Sequence, residues 1–219
     1  MNKNLNSWES NMEILKIFSL NCQSIQKKIT HIKEDSVVLR SDVICLSETW
    51  LRTDIVSEDL KIEGFDLALN SSGAGKGLGT YFRGNILQLA ENINEEKFQL
   101  TKLCSENLDV ISVYRSQHCK KNDIEVSLIR LINSEKRTVI CGDFNICFEK
   151  EKHNGLIKTI ERHGFKQFVD DATHISGGHI DHVYSNNNTD IEVTLYSPYY
   201  CAKDHDGLLI EVQKDTNMK

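Results

Sequence analysis

The chain has little of several features that would assign it to a class at once. It contains one proline, Pro198, and no proline-rich linker or repeat that would divide it into domains. No apolar run approaches the roughly 20 residues that a membrane-spanning helix needs, so we expect a soluble protein without a membrane partner. Its seven cysteines include no C-x2-C pair, which argues against a zinc ribbon or a dithiol redox site.

The odd cysteine count fits a reducing compartment better than a disulfide framework. Cys45 and Cys141 lie within apolar runs, where we expect them to be buried as small hydrophobic residues. Residues 1–13 are polar and rich in asparagine, without the basic start and apolar stretch of a secretory signal. We therefore expect an intracellular, nuclear protein with flexible tails at residues 1–13 and 214–219.

The sequence also lacks a surplus of basic residues. Its 26 Lys and Arg are outnumbered by 32 Asp and Glu, which gives a net charge of −6. This argues against a protein whose whole surface grips nucleic acid, because non-specific affinity comes from neutralising phosphates with Lys and Arg. It does not exclude a metal-dependent nuclease, since a cation bound by carboxylates offsets their charge close to the site.

Short β-rich apolar runs that end in polar clusters alternate with segments of helical period. The predicted strands are residues 14–20, 42–47, 65–69, 78–82, 108–114, 138–143, 179–185, 191–196 and 207–212. The predicted helices are residues 25–39, 122–133 and 154–163, with Gly164 as a stop signal. Many strands with irregularly placed helices predict an α/β sandwich of packed sheets covered by helices, in one domain over residues 14–213.

The glycine-rich stretch at residues 71–79 only superficially resembles a phosphate-binding loop. Asn70 stands where the first glycine of that motif belongs, and Gly77 follows Lys76 where Ser or Thr is required. We interpret the stretch as a loop between two strands.

The apolar runs end repeatedly in polar side chains that can bind metal or phosphate. Asp143 and Asn145 of the sequence Gly-Asp-Phe-Asn are two apart and face the same side of an extended segment, and Gly142 permits close backbone approach. Singly, Asn21 is better explained as a turn residue and His205 as a surface histidine, and Glu48 is explained equally well by solvent exposure or by a bound cation. We expect the set to converge on one cleft at an edge of the sandwich; its members are Asn21, Glu48, Tyr114, Arg115, Asp143, Asn145, Asp181, His182, Asp204 and His205.

The motifs N-C-Q-S, S-E-T-W, Y-R, G-D-F-N, I-D-H-V and D-H-D occur in this order from residue 21 to residue 206. In this order they resemble the endonuclease/exonuclease/phosphatase superfamily, which includes DNase-I-like enzymes and apurinic/apyrimidinic endonucleases. Within it, LSETWL, SVYR and VICGDFN are most similar to the endonuclease domain of non-LTR (LINE-type) retrotransposons. The resemblance implies a four-layer α/β/β/α sandwich with two packed mixed β-sheets flanked by helices. It also implies a metal-dependent phosphodiester hydrolase that acts on the DNA backbone and nicks one strand.

The resemblance assigns roles to these residues. Glu48 and Asn21 would hold Mg²⁺, with Mn²⁺ as an alternative ion, because a hard cation prefers oxygen ligands. Asp143 would orient or deprotonate the attacking water or protonate the leaving group, and Asn145 would donate a hydrogen bond to the reacting phosphate. His205 would contact that phosphate as an imidazolium paired with a carboxylate.

The remaining implied residues complete the site. Asp181 would be the partner of the imidazolium, and Asp204 would lie near the metal or steady the water. Tyr114 would donate its hydroxyl to a phosphate oxygen, and Arg115 would clamp a neighbouring phosphate. Thr173 would add a contact to the substrate.

Some positions depart from the family pattern. Gln23 stands where some repair enzymes carry an acid, which puts strong abasic-site activity in doubt, and Lys203 replaces the serine that often precedes Asp-His. The chain contains no reverse-transcriptase segment, so that partner would be encoded with it or lost. No obligate protein partner is inferred.

Three alternatives remain open. The chain could be another phosphoesterase of the same fold: an abasic-site endonuclease, a phosphoinositide phosphatase, a sphingomyelinase or a deadenylase. It could be a catalytically degenerate nucleic-acid-binding domain, although every core position is chemically competent. It could hold structural zinc, although the spacing of His174, His179, His182, Cys201 and His205 matches no common zinc pattern.

Overall fold

The structure is a computed structural model that describes residues 14–51, 57–71, 73, 75–187, 190–201 and 204–213. The two tails expected at residues 1–13 and 214–219 lie outside the described residues, as does Lys203. The assignment of residues 14–213 to one domain therefore stays a prediction.

The described residues form strands in two mixed sheets. In chain order the strands are β1 (Ile14–Asn21), β2 (Val43–Ser47), β3 (Asp66–Asn70), β4 (Leu78–Phe82), β5 (Gln88–Asn94), β6 (Phe98–Cys104), β7 (Leu108–Arg115), β8 (Arg137–Asp143), β9 (Lys166–Gln167), β10 (Asp181–Ser185), β11 (Ile191–Tyr196) and β12 (Gly207–Gln213). The first sheet has the order β11-β12-β1-β2-β4-β3, and the second has the order β5-β6-β7-β8-β10-β9. Each sheet contains one parallel pair at its centre, β1 with β2 and β7 with β8.

The sheets pack face to face, and helices cover their outer faces. Side chains buried between the sheets include Ile17, Val43, Val110, Val139, Val183 and Ile210. Central strands such as β2 and β7 are buried along their whole length, which explains why they are continuous apolar runs rather than alternating ones. The expected four-layer α/β/β/α sandwich is confirmed. Cys45 and Cys141 are buried between the sheets as predicted.

Helices α2 (Lys121–Leu131) and α3 (Gly155–Arg162) cover the second sheet, close to their predicted positions. The side chain of Asn154 accepts a hydrogen bond of 3.0 Å from the backbone N–H of Leu156 and caps α3. Gly164 follows the helix with a φ of +86°, which is a conformation that glycine adopts without strain. No helix in the described part of the chain is long and apolar enough to cross a membrane.

The single long helix predicted over residues 25–39 is wrong. The segment forms a 3-10 turn (Ile25–Lys27), the short helix α1 (Ile29–Glu34) and a second 3-10 turn (Val38–Arg40). Asp35 ends α1 because its backbone is extended and its carboxylate accepts the N–H groups of Val37 and Val38 at 2.9 and 3.2 Å. The predicted apolar face is confirmed, since Ile25, Ile29 and Ile32 pack on the first sheet. The prediction of one continuous helix is not.

Two long strands, β5 and β6, were not predicted. β5 is the outer strand of the second sheet, and most of its residues are exposed. An edge strand with both faces in contact with water has no apolar alternation, so its sequence gives little signal. The strand predicted over residues 179–185 begins two positions later, at Asp181.

We expect the Asn154→Ala variant to lower the free energy of unfolding by about 1 kcal/mol, because it removes the cap of α3. Urea denaturation followed by circular dichroism measures this. Asn154→Asp keeps an oxygen acceptor and should retain most of the stability. Equal denaturation midpoints for wild type and Asn154→Ala would contradict the capping role.

Candidate active site

The first sheet brings three predicted residues to one edge. Parallel pairing of β1 and β2 sets Asn21 opposite Ser47, so Glu48 follows directly at the same edge. β12 runs antiparallel to β1 and begins at Gly207, so the chain that enters it carries His205 to that edge as well. The topology of the sheet therefore explains why residues distant in sequence meet here.

The second sheet contributes the opposite wall by the same logic. Parallel pairing of β7 and β8 sets Tyr114 opposite Asp143. β10 runs antiparallel to β8 and begins at Asp181, which also pairs with Asp143. The ends of both sheets thus face one cleft.

A chain of polar contacts joins the two walls. The Asn21 amide donates to Oδ2 of Asp143 at 2.8 Å and lies 3.4 Å from Nε2 of His205. Nδ1 of His205 is 3.0 Å from Oδ2 of Asp181. All four side chains are buried, so these contacts are little weakened by water. The 3.4 Å contact joins two N–H donors when the ring is protonated, so Asp181 is the stronger control on the imidazole ring.

The Gly-Asp-Phe-Asn segment forms a tight turn around Asp143. Its carboxylate accepts the backbone N–H of Asn145 at 2.8 Å and the Asn145 amide at 3.2 Å. The same amide donates to the carbonyl of Arg115 at 2.8 Å, which ties the turn to the end of β7. Gly142 has a φ of +139°, and a Cβ there would lie 2.0 Å from the Val113 carbonyl oxygen. Only glycine lets the two strands approach closely enough to build this turn.

Arg115 lies beneath the site and supports it. Its guanidinium donates to the carbonyls of Phe144 at 2.9 Å and Asn145 at 3.3 Å, and to that of Cys119. The residue is buried. Arg115 therefore holds the turn that carries Asp143, and its expected clamp on a phosphate stays a prediction.

Thr173 is likewise a support in this structure. Its side chain is fully buried, and its hydroxyl accepts the backbone N–H of Asp181 at 3.2 Å. Its own N–H and carbonyl bind Gly178 and Asp206. This arrangement positions Asp181, and a direct contact of Thr173 with substrate stays a prediction.

Tyr114 points toward the cleft from the second sheet. Its hydroxyl donates to the carbonyl of Gly75 at 2.7 Å, in the loop between β3 and β4. Burial, followed by the charges of Glu48 and Asp143, raises the pKa of Tyr114, so the hydroxyl stays protonated and able to donate. Gly75 lies in the connection between β3 and β4, which was predicted to be a loop, and the described part of this connection forms one rim of the cleft. Residues 72 and 74 are outside the described residues.

Asp204 stands at the other rim. Its Oδ2 accepts a hydrogen bond of 3.0 Å from the Gln23 side chain, and this bond is the main cause of a lowered pKa of Asp204. The Gln23 amide thus donates a hydrogen bond to Asp204 and keeps that carboxylate ionised. An ionised acid at position 23 could not donate this bond.

The buried charges of the site are unbalanced. Burial, then the charges of Asp181 and Glu48, raise the pKa of Asp143 well above its usual range. Burial disfavours the imidazolium of His205, but the hydrogen bond and charge of Asp181, with the charges of Asp143 and Glu48, raise its pKa to about 9. One imidazolium faces several carboxylates, so a bound cation would stabilise the ionised form of Asp143.

The donor atoms at this edge fit a hard divalent cation. Glu48 and Asn21 offer carboxylate and amide oxygens from the ends of neighbouring parallel strands. Oε2 of Glu48 accepts the Trp50 indole N–H at 3.2 Å, which orients the carboxylate. Within the described residues, no group of three or more His, Cys, Asp and Glu side chains is placed to hold a metal by itself. Carboxylate and amide oxygens are the ligands that hard divalent cations prefer, and such ions often keep several waters.

Backbone strain is concentrated at the site. The described residues other than glycine with left-handed φ values all follow β1, β2 or β8: Gln23, Ser24, Glu48, Trp50 and Asn145. Each such conformation costs about 1–3 kcal/mol and persists only where the surrounding structure enforces it. The turns that carry the predicted metal ligands and Asp143 are held in conformations that ordinary side chains disfavour.

Sequence reasoning missed several residues that shape the site. Gln23 and Trp50 orient Asp204 and Glu48, and Gly75 accepts from Tyr114. His174 pairs with His205 in an isolated β-bridge, and its ring lies edge-on to that of His205 at 4.9 Å. Gln23 and Trp50 had a sequence signal, since each lies two residues after a predicted metal ligand; Gly75 had none.

His182, in the predicted I-D-H-V motif, lies in the core rather than in the cleft. It is fully buried and stacks on Phe144. Nε2 is 2.8 and 3.0 Å from the carbonyls of Ile146 and His179, so it carries the proton, and Nδ1 accepts from the Tyr184 hydroxyl at 2.9 Å. Both ring nitrogens are therefore engaged within the core, contrary to the expectation that His182 would join the cleft.

Comparison with solved structures gives the same fold at low sequence identity. An AP endonuclease from Archaeoglobus fulgidus matches with a TM-score of 0.69 and 16% identity, over 92% of this chain and 100% of that one. The endonuclease domain of TRAS1, a telomere-specific non-LTR retrotransposon, matches with a TM-score of 0.69 and 11% identity, over 92% and 99%. The 3'-5' exonuclease NExo from Neisseria meningitidis matches with a TM-score of 0.69 and 13% identity, over 91% and 100%. No curated protein matches the chain by sequence.

The chain therefore has the fold of solved nucleases, and the side chains that meet at its cleft are of the types that phosphodiester hydrolysis needs. By sequence, residues 108–209 match the family model described as endonuclease-reverse transcriptase. The matched segment contains Tyr114, Asp143, Asp181 and His205, so it includes most of the cleft.

We expect Gly142→Ala to destabilise the protein by at least about 2 kcal/mol, because the new methyl group would overlap the backbone of β7 in a strained conformation. Gly164→Ala is the matched control, since its φ is also positive but nothing lies within 4 Å of its Cβ. Urea denaturation of both variants measures the difference. Equal losses of unfolding free energy would show that the positive φ, and not the close approach of the strands, makes glycine necessary at position 142.

We expect His182 to make the protein less stable in acid. Burial lowers its pKa from 6.5 to about 4, so the unfolded chain binds this proton more readily than the folded one. Above about pH 6.5 the neutral His182 contributes about 3 kcal/mol to the free energy of unfolding, and this contribution is lost as the pH falls through 4.

Unfolding free energies at pH 7, 5.5 and 4 should therefore fall less steeply in His182→Asn than in wild type. His118→Asn, at an exposed position, should keep the wild-type slope. Parallel slopes for His182→Asn and wild type would contradict the assignment.

Proposed function

We propose that this protein is a Mg²⁺-dependent DNA endonuclease that nicks one strand, of the retrotransposon endonuclease type. The observation that supports it is the buried contact chain from Asn21 through Asp143 and His205 to Asp181, with the charge of Glu48 acting on it. Hydrolysis of a phosphodiester needs a positioned water, charge neutralisation at the phosphoryl oxygens and a proton for the departing oxygen. Each task has a candidate in this cleft.

Glu48 and Asn21 would hold the ion, which when bound supplies Lewis-acid stabilisation of the phosphate. Asp143 is held by the Asn145 N–H and the Asn21 amide, so its carboxylate has a fixed direction. Its raised pKa suits a group that accepts a proton from water as the water oxygen bonds to phosphorus.

His205 provides positive charge at the phosphate. With a pKa of about 9 the ring is protonated near neutral pH, and Asp181 fixes its orientation through Nδ1. Nε2–H is then free to exchange its long Asn21 contact for a phosphoryl oxygen. The bond from phosphorus to the leaving oxygen breaks as the water oxygen adds. The leaving oxygen takes up the proton that Asp143 accepted from the water and returns through solvent, which yields a hydroxyl and a phosphomonoester.

The choice of DNA and of the retrotransposon type rests on the family match over residues 108–209 and on the sequence motifs SETW, SVYR and GDFN. A reverse transcriptase encoded with the chain would then use the nick as its starting point. This activity would be exercised in the nucleus. Gln23, paired with Asp204, favours this type over strong abasic-site cleavage.

We expect wild-type protein to convert supercoiled plasmid to the nicked circle with Mg²⁺ and to lose this activity in EDTA. Asp143→Ala and His205→Ala should each reduce the rate by roughly 10²–10⁴-fold, the range for loss of a general acid or base. Gel separation of supercoiled, nicked and linear plasmid measures all species. Asp171→Ala and His118→Ala, at exposed positions, are the matched controls and should nick like wild type.

Circular dichroism must first show that the two site variants fold. Equal rates in wild type, Asp143→Ala and His205→Ala would reject the site. An oligonucleotide with one abasic position and a phosphoinositide should be hydrolysed more slowly than plasmid DNA. Faster turnover of either would replace the proposed substrate with that one.

A further inference from the structure

Three aromatic rings form a cluster on the surface near the candidate site. Tyr199 is 81% exposed, and its hydroxyl is 2.8 Å from Nδ1 of His31. The ring of Tyr199 stands edge-on to His31 and to Tyr200, each at 5.3 Å, while His31 and Tyr200 are stacked at 5.8 Å with an interplanar angle of 14°. We call these three residues the aromatic platform.

The platform is anchored from below. The hydroxyls of Tyr200 and Tyr196 donate to the carboxylate of Asp35 at 2.8 and 3.0 Å. Asp35 also accepts the N–H groups that end α1, so the helix bearing His31 and the turn bearing Tyr199 share one anchor. A large exposed ring is thus held in a defined orientation without being buried, and its exposed surface is available to a ligand.

The platform is also fixed relative to His205. The Cys201 thiol donates to the carbonyl of His205 at 2.7 Å, and the Ser197 hydroxyl donates to the carboxylate of Asp206. On the other side, Lys28 immediately precedes α1 and donates to the carbonyls of Cys22 and Gln23, directly after Asn21. Both halves of the platform are therefore attached to segments that supply the cleft.

The charge around the platform suits a polyanion. Residues 26–33 contain three lysines, and the acidic residues Glu34 and Asp35 follow them. Asp35, the acid nearest to the rings, has its carboxylate occupied by two tyrosine hydroxyls and two backbone N–H groups. The exposed Tyr199 ring, held beside a helix that follows and carries lysines, matches the combination of stacking and phosphate contacts used to bind single-stranded nucleic acid.

We infer that the platform is a stacking site for one nucleobase of an unpaired nucleotide close to the phosphate at His205. The inference rests on the proposed function and adds to it the form of substrate, namely DNA with an unstacked base beside the cut. A base within a duplex is already stacked on both faces and cannot lie flat on Tyr199. Stacking on Tyr199 therefore selects melted, flipped or single-stranded DNA.

The test uses the full chain in EDTA, which prevents cleavage, and a 12-nucleotide single-stranded DNA carrying 2-aminopurine, whose fluorescence falls when it stacks. Scanning the 2-aminopurine along the strand should reveal one position that is quenched by wild type. Tyr199→Ala should abolish that quenching and weaken binding about tenfold, within the range for base–aromatic stacking. Tyr199→Phe keeps the ring and should bind within about twofold of wild type.

Two controls isolate the stacking contact. Removing the base at the quenched position should make wild type and Tyr199→Ala bind with equal affinity. Val126→Ala, at an exposed position on α2 over the other sheet, should behave like wild type. Because Tyr199 is largely exposed, Tyr199→Ala should unfold at the wild-type temperature.

The outcomes separate this inference from the proposed function. If wild type nicks plasmid but Tyr199→Ala binds single-stranded DNA as wild type does, the platform is rejected and the endonuclease stands. If wild type does not nick but binding depends on Tyr199, the platform stands and the endonuclease is rejected. Tighter binding of an equal-length duplex than of the single strand, or no binding of either, would overturn the platform.

Discussion

The hydrogen bond between the Asn21 amide and the Asp143 carboxylate is the contact on which the cleft depends. Asn21 ends a strand of the first sheet and Asp143 ends a strand of the second, so this 2.8 Å bond joins the sheets at their functional edge. Apolar packing between the sheets sets their separation but is not directional. A buried polar contact is directional, and it fixes which strand ends face each other.

Around this contact, polar residues of the second sheet bind the turn that carries Asp143 rather than a substrate. Arg115 binds the carbonyls of the Gly-Asp-Phe-Asn turn, Asn145 returns a hydrogen bond to the end of β7, and Thr173 holds the start of β10. Asp143, Asp181 and His205 are the titratable side chains that these supports bring together at the cleft. Many polar residues near this site therefore hold other residues in place. The sequence alone does not distinguish them from residues that act directly.

The sequence predicted the central strands well because burial on both faces leaves continuous apolar runs, as in β2 and β7. It missed β5 because an exposed edge strand has no such pattern, and it extended α1 through Asp35 because the side-chain contacts that end the helix are not visible as periodicity. For the site, motif order identified the converging residues. It could not show that Gln23 would bind Asp204, or that the Arg115 guanidinium would face backbone carbonyls, since both depend on the three-dimensional course of the chain.

The left-handed residues that follow β1, β2 and β8 have a consequence for how such a site can change over time. Glycine would relieve the backbone strain at Glu48 or Asn145, but the carboxylate or amide would be lost with the side chain. Selection for thermal robustness and selection for chemistry therefore oppose each other at the same few positions. A lineage released from the need for chemistry at this cleft would be expected to replace these residues first, which makes these positions a record of whether activity is still maintained.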